Sequence, residues 1–365
     1  MTLPTTDRLL LGPGPSPISD RVLKALSSPQ RSHLDPDLLG LLDGIRERLG
    51  RIFGAGEGAE TLAVSGTGTS AMEAVVANLA GPGQRALVVV TGYFGERLAG
   101  MLARYGAKVE RVEAEWGRAI DPGEVQRVLA ESPSFDLVAL VHGETSTGVC
   151  NPVKEIASLA RQHNALTIVD AVTTLGAVAL DVSAWQIDAC YSCSQKGLGA
   201  PSGLSPVTFS ARALERLVPC RSFYLDLGLL RDYWVGRKYH HTISTPLVYG
   251  LSEALAEVEE EHLSARWARH ESVHQAFVAA AGGLGLSLLP PEGERLVALN
   301  AVRVPDGCDE ATIRGHLVQK HGIEVGAGLG PLAGKIWRVG LMGSGATLAN
   351  VERLADALEQ ALNEP

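Results

Sequence analysis

The chain has 365 residues, 45% hydrophobic and 20% charged, an ordinary globular balance at a length that favours two domains over one. A net charge of −9 without any Lys/Arg-rich block argues against a nucleic-acid partner, and no apolar run approaches the roughly 20 residues that cross a bilayer. Five cysteines, an odd number, and a start that lacks a charged segment followed by an apolar one point to reduced thiols in the cytoplasm.

The first sixteen or so residues include Leu11-Gly12-Pro13-Gly14-Pro15, which cannot be regular structure and reads as an extended arm over 1–16. From about residue 60 to 210 short apolar runs alternate with helical patterns. Strands are predicted at 61–64, 86–90, 137–141, 167–169, 189–192 and 207–209, and helices at 71–79, 96–105 and 153–163. Continuous Val/Ile/Leu runs between helices mean strands buried on both faces, hence a mostly parallel sheet whose function gathers at the carboxyl ends of its strands. After about residue 260 the rhythm changes. One long helical stretch, 253–280, runs to the Gly282-Gly283 break, followed by a strand at 298–304, a helix at 310–320, a strand at 335–341 and a helix at 348–362. We expect a large domain over 17–260 and a smaller α+β domain over 261–365.

The polar segments fall at strand ends. The first strand runs into Ser65-Gly66-Thr67-Gly68-Thr69-Ser70, which opens a helix, so backbone N–H groups and small hydroxyls make a phosphate cradle there. Gly66-x-Gly68-x-x-Ala71 also fits the dinucleotide fingerprint of an NAD-dependent dehydrogenase. The next strand, however, ends in Thr91-Gly92-Tyr93-Phe94, without the acid that would hold the ribose. Phe94 there either lies flat against a planar ring or caps the core. His142-Gly143-Glu144-Thr145-Ser146-Thr147-Gly148 closes the third strand as a site or a solvated loop.

Two later strand ends carry the strongest signal. Asp170 ends one apolar run, and Lys196 follows another, just before the tight segment Gly197–Gly203. A lone strand-end lysine would be a solvated surface cation. A lysine paired with a strand-end carboxylate and a phosphate cradle is what pyridoxal phosphate (PLP) needs: the lysine forms the Schiff base and the aspartate pairs with the pyridinium nitrogen. Thr145 could then reach the phenolic oxygen of the ring. His142 and Glu144 stay unplaced, a structural role in the turn being equally open.

Three further features invite other readings. Cys190 and Cys193 form a C-x-x-C on a predicted buried strand, with no second ligand pair to hold a metal. In Lys238-Tyr239-His240-His241-Thr242 adjacent histidines on an extended segment should point to opposite sides, which again counts against a metal. Arg338, on an apolar strand of the small domain, needs an anion, either a substrate carboxylate or an internal Asp or Glu.

Assembled in order, these motifs make the chain resemble the class V, fold type I PLP aminotransferases, and among them the alanine–glyoxylate and serine–glyoxylate group. The motifs are Ser65–Thr69, Gly92-Tyr93-Phe94-Gly95, His142–Gly148, Val169-Asp170-Ala171-Val172, Ser194-Gln195-Lys196 with Ala200-Pro201, Tyr239–Thr242, and Gly334-Lys335 through Gly340, and the likeness runs nearly end to end. It implies an α/β fold with a seven-stranded, mostly parallel sheet between helices in the large domain, plus a smaller C-terminal α+β domain. It implies transamination of alanine or serine with glyoxylate or pyruvate. Lys196 would be the Schiff-base lysine and proton shuttle, Asp170 the partner of the ring nitrogen, Phe94 the stacking ring and Thr145 the contact to the phenolic oxygen. Thr67, Gly68, Thr69 and Gln195 would hold the phosphate. Tyr239 and Thr242 would reach the phosphate of a second subunit, making a homodimer with shared sites. Arg338 would grip the substrate carboxylate, with the Gly12–Gly14 turn near the substrate.

Two related classes are set aside by residues. Cysteine desulfurases carry a histidine before the lysine and a mobile-loop cysteine. Here Gln195 precedes Lys196, and Gly326-Ala327-Gly328-Leu329-Gly330 contains no Cys. A non-catalytic regulator on this fold usually appends a DNA-binding helix-turn-helix, for which the chain has no room.

Overall fold

The computed structural model describes residues 8–363, so the first seven residues of the expected arm and the last two of the chain lie outside the described residues. Among the described residues seven strands form the main sheet: β1 (Glu60–Gly66), β2 (Arg85–Val90), β3 (Lys108–Glu113), β4 (Leu137–Val141), β5 (Leu166–Asp170), β6 (Ala189–Tyr191) and β7 (Gly203–Phe209). Their order is β1-β7-β6-β5-β4-β2-β3. All neighbours run parallel except β7, which is antiparallel to both β1 and β6. The apolar runs explain the centre of this sheet: β4 and β5 are buried along their whole length.

The helices follow the strands and cover the sheet. Tyr93–Arg104 buries only the stripe Gly95, Leu98, Ala99 and Leu102 and leaves its other side polar. Gly68–Leu79 is buried almost all round from Ala71 onward. Among the elements not expected are β3 and the helices Asp20–Leu26, Pro36–Phe53, Pro122–Glu131 and Leu227–Trp234. β3 is an edge strand in which only Val112 is buried, and its Lys, Glu and Arg side chains keep that edge polar.

The single long helix expected over 253–280 is instead two, Thr245–Glu261 and Leu263–Gly283. They break at His262, which takes a left-handed conformation with φ 64°. The break falls where the packing changes. Val248, Leu251 and Leu255 join the apolar cluster around the main sheet, while Val273, Phe277 and Ala281 join a second cluster. That second cluster covers a small antiparallel sheet of β8 (Leu299–Arg303), β9 (Gly326–Ala327) and β10 (Ile336–Gly340), in the order β8-β10-β9. The arm docks on it as well. Leu9–Leu10 pair in parallel with Ile323–Glu324, and Leu11 is buried in the second cluster. No helix among the described residues is long and apolar enough to cross a membrane.

Candidate active site

A cavity of about 360 Å³ opens at the carboxyl ends of β1, β2, β4 and β5 and is closed from the far side by Leu329 and Arg338 of the C-terminal unit. Lys196 reaches it from the turn between β6 and β7. That turn is fixed from three directions. Gly199 N donates to Lys196 O at 2.9 Å, Ser16 N donates to Gln195 O at 2.9 Å, and the Ser16 hydroxyl donates to Lys196 O at 2.9 Å. Gly14 crosses the lysine at φ +122°, where an added Cβ would lie 3.0 Å from Lys196 Cε.

The Lys196 side chain is buried, and its Nζ donates to Thr173 Oγ1 at 3.3 Å and lies 5.9 Å from the Phe94 ring centroid. Burial lowers the pKa of its amine; the Arg338 charge acts the same way, while Cys193 and Asp170 oppose it. An amine biased toward its neutral form is a nucleophile and a base. Asp170, on the last position of β5, is buried, and its Oδ1 accepts from Val172 N at 2.8 Å. Burial pushes its carboxyl up to about 6. The Val172 N–H opposes that rise, and a cation placed against the carboxyl would favour its anion further.

The residues fit PLP. No side chain caps the start of the helix Gly68–Leu79, and Thr67, Gly68 and Thr69 line the cavity there, leaving helix-start N–H groups for an anion. Gln195 Oε1 is buried without a hydrogen-bond partner beside them. Phe94 and Val172 supply apolar walls, and Asp170, Thr145 and Lys196 line the same space.

Arg338 lies on β10, the middle strand of the small sheet, and is 8% exposed. Its Nε donates to Ala327 O at 2.6 Å and its Nη1 to Thr145 O at 3.4 Å. Among the described residues no carboxylate pairs with it, so the internal Asp or Glu considered from sequence is not there. Burial lowers its pKa to about 10, opposed by the charge of Glu144. The guanidinium faces the cavity without a counter-ion of its own, ready for a carboxylate.

The structure thus brings together Lys196, Asp170, Thr67, Gly68, Thr69, Phe94, Thr145, Gln195, Gly14 and Arg338. Gly12 does not line the cavity. It packs against the backbone of Val325 and Gly326 and positions the residues after it. Tyr239 and Thr242 are exposed and lie outside the cavity within one chain. The histidines beside them do not point apart as expected. His240 and His241 meet through their Nδ1 atoms at 2.8 Å, and His241 Nε2 meets the Ser65 hydroxyl at 2.6 Å. His142 turns away from the cavity and packs edge-on against Trp185, with ring centroids 5.7 Å apart. Burial lowers its pKa to about 4.

Arg97 was missed. Its guanidinium sits 5.0 Å from the Phe94 ring centroid, and its Nη1 donates to Thr69 Oγ1 at 3.2 Å. The signal was spacing: Arg97 follows Phe94 by three on a helix and shares its face. No cysteine lines the cavity.

Comparison with known proteins agrees with this geometry. The family model described as Aminotransferase class-V matches residues 11–342, and the chain belongs to that family. It is therefore a PLP-dependent aminotransferase. The chain is similar to an alanine–glyoxylate aminotransferase of Drosophila melanogaster, 37% identical across 97% of this chain and 92% of that protein. It is similar to an (S)-ureidoglycine–glyoxylate transaminase of Bacillus subtilis, 35% identical across 97% of this chain and 90% of that protein. Among solved structures it is similar to an alanine–glyoxylate aminotransferase from Nostoc sp., with a TM-score of 0.95 and 43% identity, covering 99% of this chain and 98% of that one.

Proposed function

We propose that this aminotransferase moves the amino group of a small amino acid, alanine or serine, to a small 2-oxo acid, glyoxylate or pyruvate. The observation that carries the reading is the buried Arg338, without a carboxylate partner, on the wall of the cavity that holds Lys196 and Asp170. It suits a substrate whose own carboxylate completes the site. The relatives' names support the acceptor, since both curated relatives are named for glyoxylate.

Thr67, Gly68, Thr69 and Gln195 would hold the cofactor phosphate, Phe94 would cover the ring and Thr145 would meet its phenolic oxygen. Bound PLP supplies an electron sink for the charge left when the α-proton departs. Asp170 holds a proton on the ring nitrogen, which keeps that sink effective. Lys196 would anchor the cofactor, and its freed amine would take the α-proton of the amino acid and return it to the cofactor's aldehyde carbon, two bonds from the α-carbon. Its burial favours the neutral amine that this requires. Arg338 would orient the substrate through its carboxylate, and the arm at Gly14 and Pro15 forms part of the cavity wall.

The reading includes a homodimer in the cytoplasm. Phe223, Tyr224 and Tyr239 are exposed aromatics on neighbouring segments, 70%, 43% and 63% accessible, which a second copy would cover. Tyr239 and Thr242 would then reach the partner's cofactor phosphate. The five cysteines are free thiols, which suits a reducing compartment.

The test is a donor-by-acceptor matrix of half-reaction spectra. L-alanine or L-serine should bleach the yellow enzyme, and glyoxylate or pyruvate should restore it. A response confined to dicarboxylic donors would overturn the substrate assignment.

A further inference from the structure

The turn after β4 holds a carboxylate that the reaction as described leaves idle. Glu144 is 0% exposed, and four donors converge on it. Its Oε2 accepts from Phe94 N and Gly95 N, each at 3.1 Å. Its Oε1 accepts from Ser146 N at 3.1 Å and from the Ser146 hydroxyl at 2.6 Å. The Ser146 oxygen in turn accepts from Tyr93 N at 2.9 Å, so its one proton is committed to Glu144.

Tyr93, Phe94 and Gly95 open the helix Tyr93–Arg104, and the first N–H groups of a helix have no partner within it. The residue before them, Gly92, has no side chain to offer. It must be glycine, because a Cβ there would lie 2.6 Å from Glu144 Cγ. The cap therefore comes from another part of the chain, and it brings negative charge to a helix start, where the macrodipole favours it. A cage built wholly of donors takes an acceptor-only group. A protonated acid or an amide would turn a hydrogen onto one of the four. Burial raises the Glu144 pKa, and the same four donors oppose the rise. The next residue, Thr145, offers its carbonyl to Arg338, so one turn touches both the ring wall and the arginine.

We propose that Glu144 is a positioning residue: by capping the helix that carries Phe94, its carboxylate fixes the Phe94 ring over the cofactor position. The inference rests on the reading of Phe94 as the residue that covers the cofactor ring.

The experiment compares the holoenzymes of Glu144→Gln, Ser146→Ala, Phe94→Ala and the Phe94→Ala/Glu144→Gln double variant. Glu144→Gln keeps the shape and replaces one acceptor with a donor. It should speed PLP loss on dilution by about tenfold, lower kcat/KM by a similar factor and weaken the visible circular dichroism of the bound cofactor. In the double variant PLP loss should match Phe94→Ala alone to within about threefold, because both changes act through one ring. Effects that multiply in the double variant would overturn the proposal. So would a Glu144→Gln enzyme that melts earlier yet keeps PLP and its dichroism as the wild type does. If Glu144→Gln does not fold, Ser146→Ala removes the link between Tyr93 and Glu144 and must show the same non-additivity with Phe94→Ala. Phe94→Ala that retains PLP normally would remove the Phe94 reading and this inference with it. PLP loss in Phe94→Ala beside retention in Glu144→Gln would overturn the role of Glu144 alone.

Discussion

Ser16 and Lys196 lie 180 positions apart in the chain and share a buried hydrogen bond, from the Ser16 hydroxyl to the Lys196 carbonyl oxygen at 2.9 Å. The N-terminal arm is thus a strap over the turn that presents the lysine. Ser16→Ala leaves that carbonyl to Gly199 N, so the expected loss is about 1 kcal/mol of stability. The urea midpoint measures it, and an unchanged midpoint would contradict the strap.

Lys196→Ala should abolish turnover. Borohydride treatment of the wild-type holoenzyme should fix the cofactor to Lys196, and peptide mapping that finds it on another lysine would refute the assignment. Asp170→Asn should keep part of its PLP and lose about 100-fold or more in rate, since a neutral amide cannot hold the proton on the ring nitrogen. Near-normal turnover with confirmed PLP occupancy would count against Asp170.

Arg338→Ala removes the fork proposed to meet the substrate carboxylate and should leave the cofactor contacts intact. Truncating one partner of such a buried pair commonly costs about 2–5 kcal/mol, so the apparent affinity for the amino acid should fall by roughly 30-fold or more. PLP retention, followed by absorbance after dilution, should be unchanged. A variant that loses PLP and keeps its KM would reverse the roles assigned here.

Acid should destabilise the chain through buried histidines. Burial lowers the pKa of His142 and His270 from 6.5 to about 4. His270 is held neutral by geometry, since its Nδ1 donates to Arg266 O and its Nε2 accepts from Gly343 N. Between those values the unfolded chain binds protons that the folded chain does not, so stability is full above pH 6.5 and falls as pH drops through the window. Asp170 acts in the opposite sense. With a folded value of about 6 against 3.8 unfolded, its burden is relieved by acid. His142→Leu should recover up to about 3 kcal/mol of the acid loss. Urea unfolding at about pH 4.5 and about pH 7 gives the comparison, and identical pH slopes in variant and wild type would refute it.

Tyr239 tests the shared site. Tyr239→Phe should weaken PLP retention, although this side chain lies outside the cavity of its own chain. Mixing Tyr239→Phe subunits with Lys196→Ala subunits should restore activity, because one site of the heterodimer then has an intact lysine and an intact partner tyrosine. A fully active monomer in sedimentation would refute the shared architecture.

The central strands were legible because burial on both faces leaves an uninterrupted apolar run, as in Leu137-Val138-Ala139-Leu140-Val141. β3 was not, because an edge strand keeps charges on every position but one or two, and Lys108-Val109-Glu110-Arg111-Val112-Glu113 looks like a loop. The helix Pro36–Phe53 did carry its signal, an Asp35 cap, a Pro36 start and Leu38, Leu42, Ile45, Leu49 and Ile52 along one face. The break at His262 carried none, since a left-handed histidine is imposed by packing and not by its own preference. In the site, Asp170 could be read because it ends a strand, and Lys196 because it follows an apolar run just before a glycine- and proline-rich turn. Glu144 could not, for two of its partners are N–H groups of a helix some fifty positions earlier, and backbone donors leave no trace in a sequence.

The strand order has a consequence for how this molecule comes into being. β1, which delivers Thr67 to the cavity, is bonded along its whole length to β7, which begins just after the lysine turn. Everything from residue 67 to 202 must be made before those two strands can meet. A nascent or half-folded chain therefore owns no cofactor site, and such distant pairing is slow to form. Cofactor capture can stabilise only the finished sheet, by mass action on the folded state. Shortage of the cofactor would then leave the finished fold less stable as well as idle.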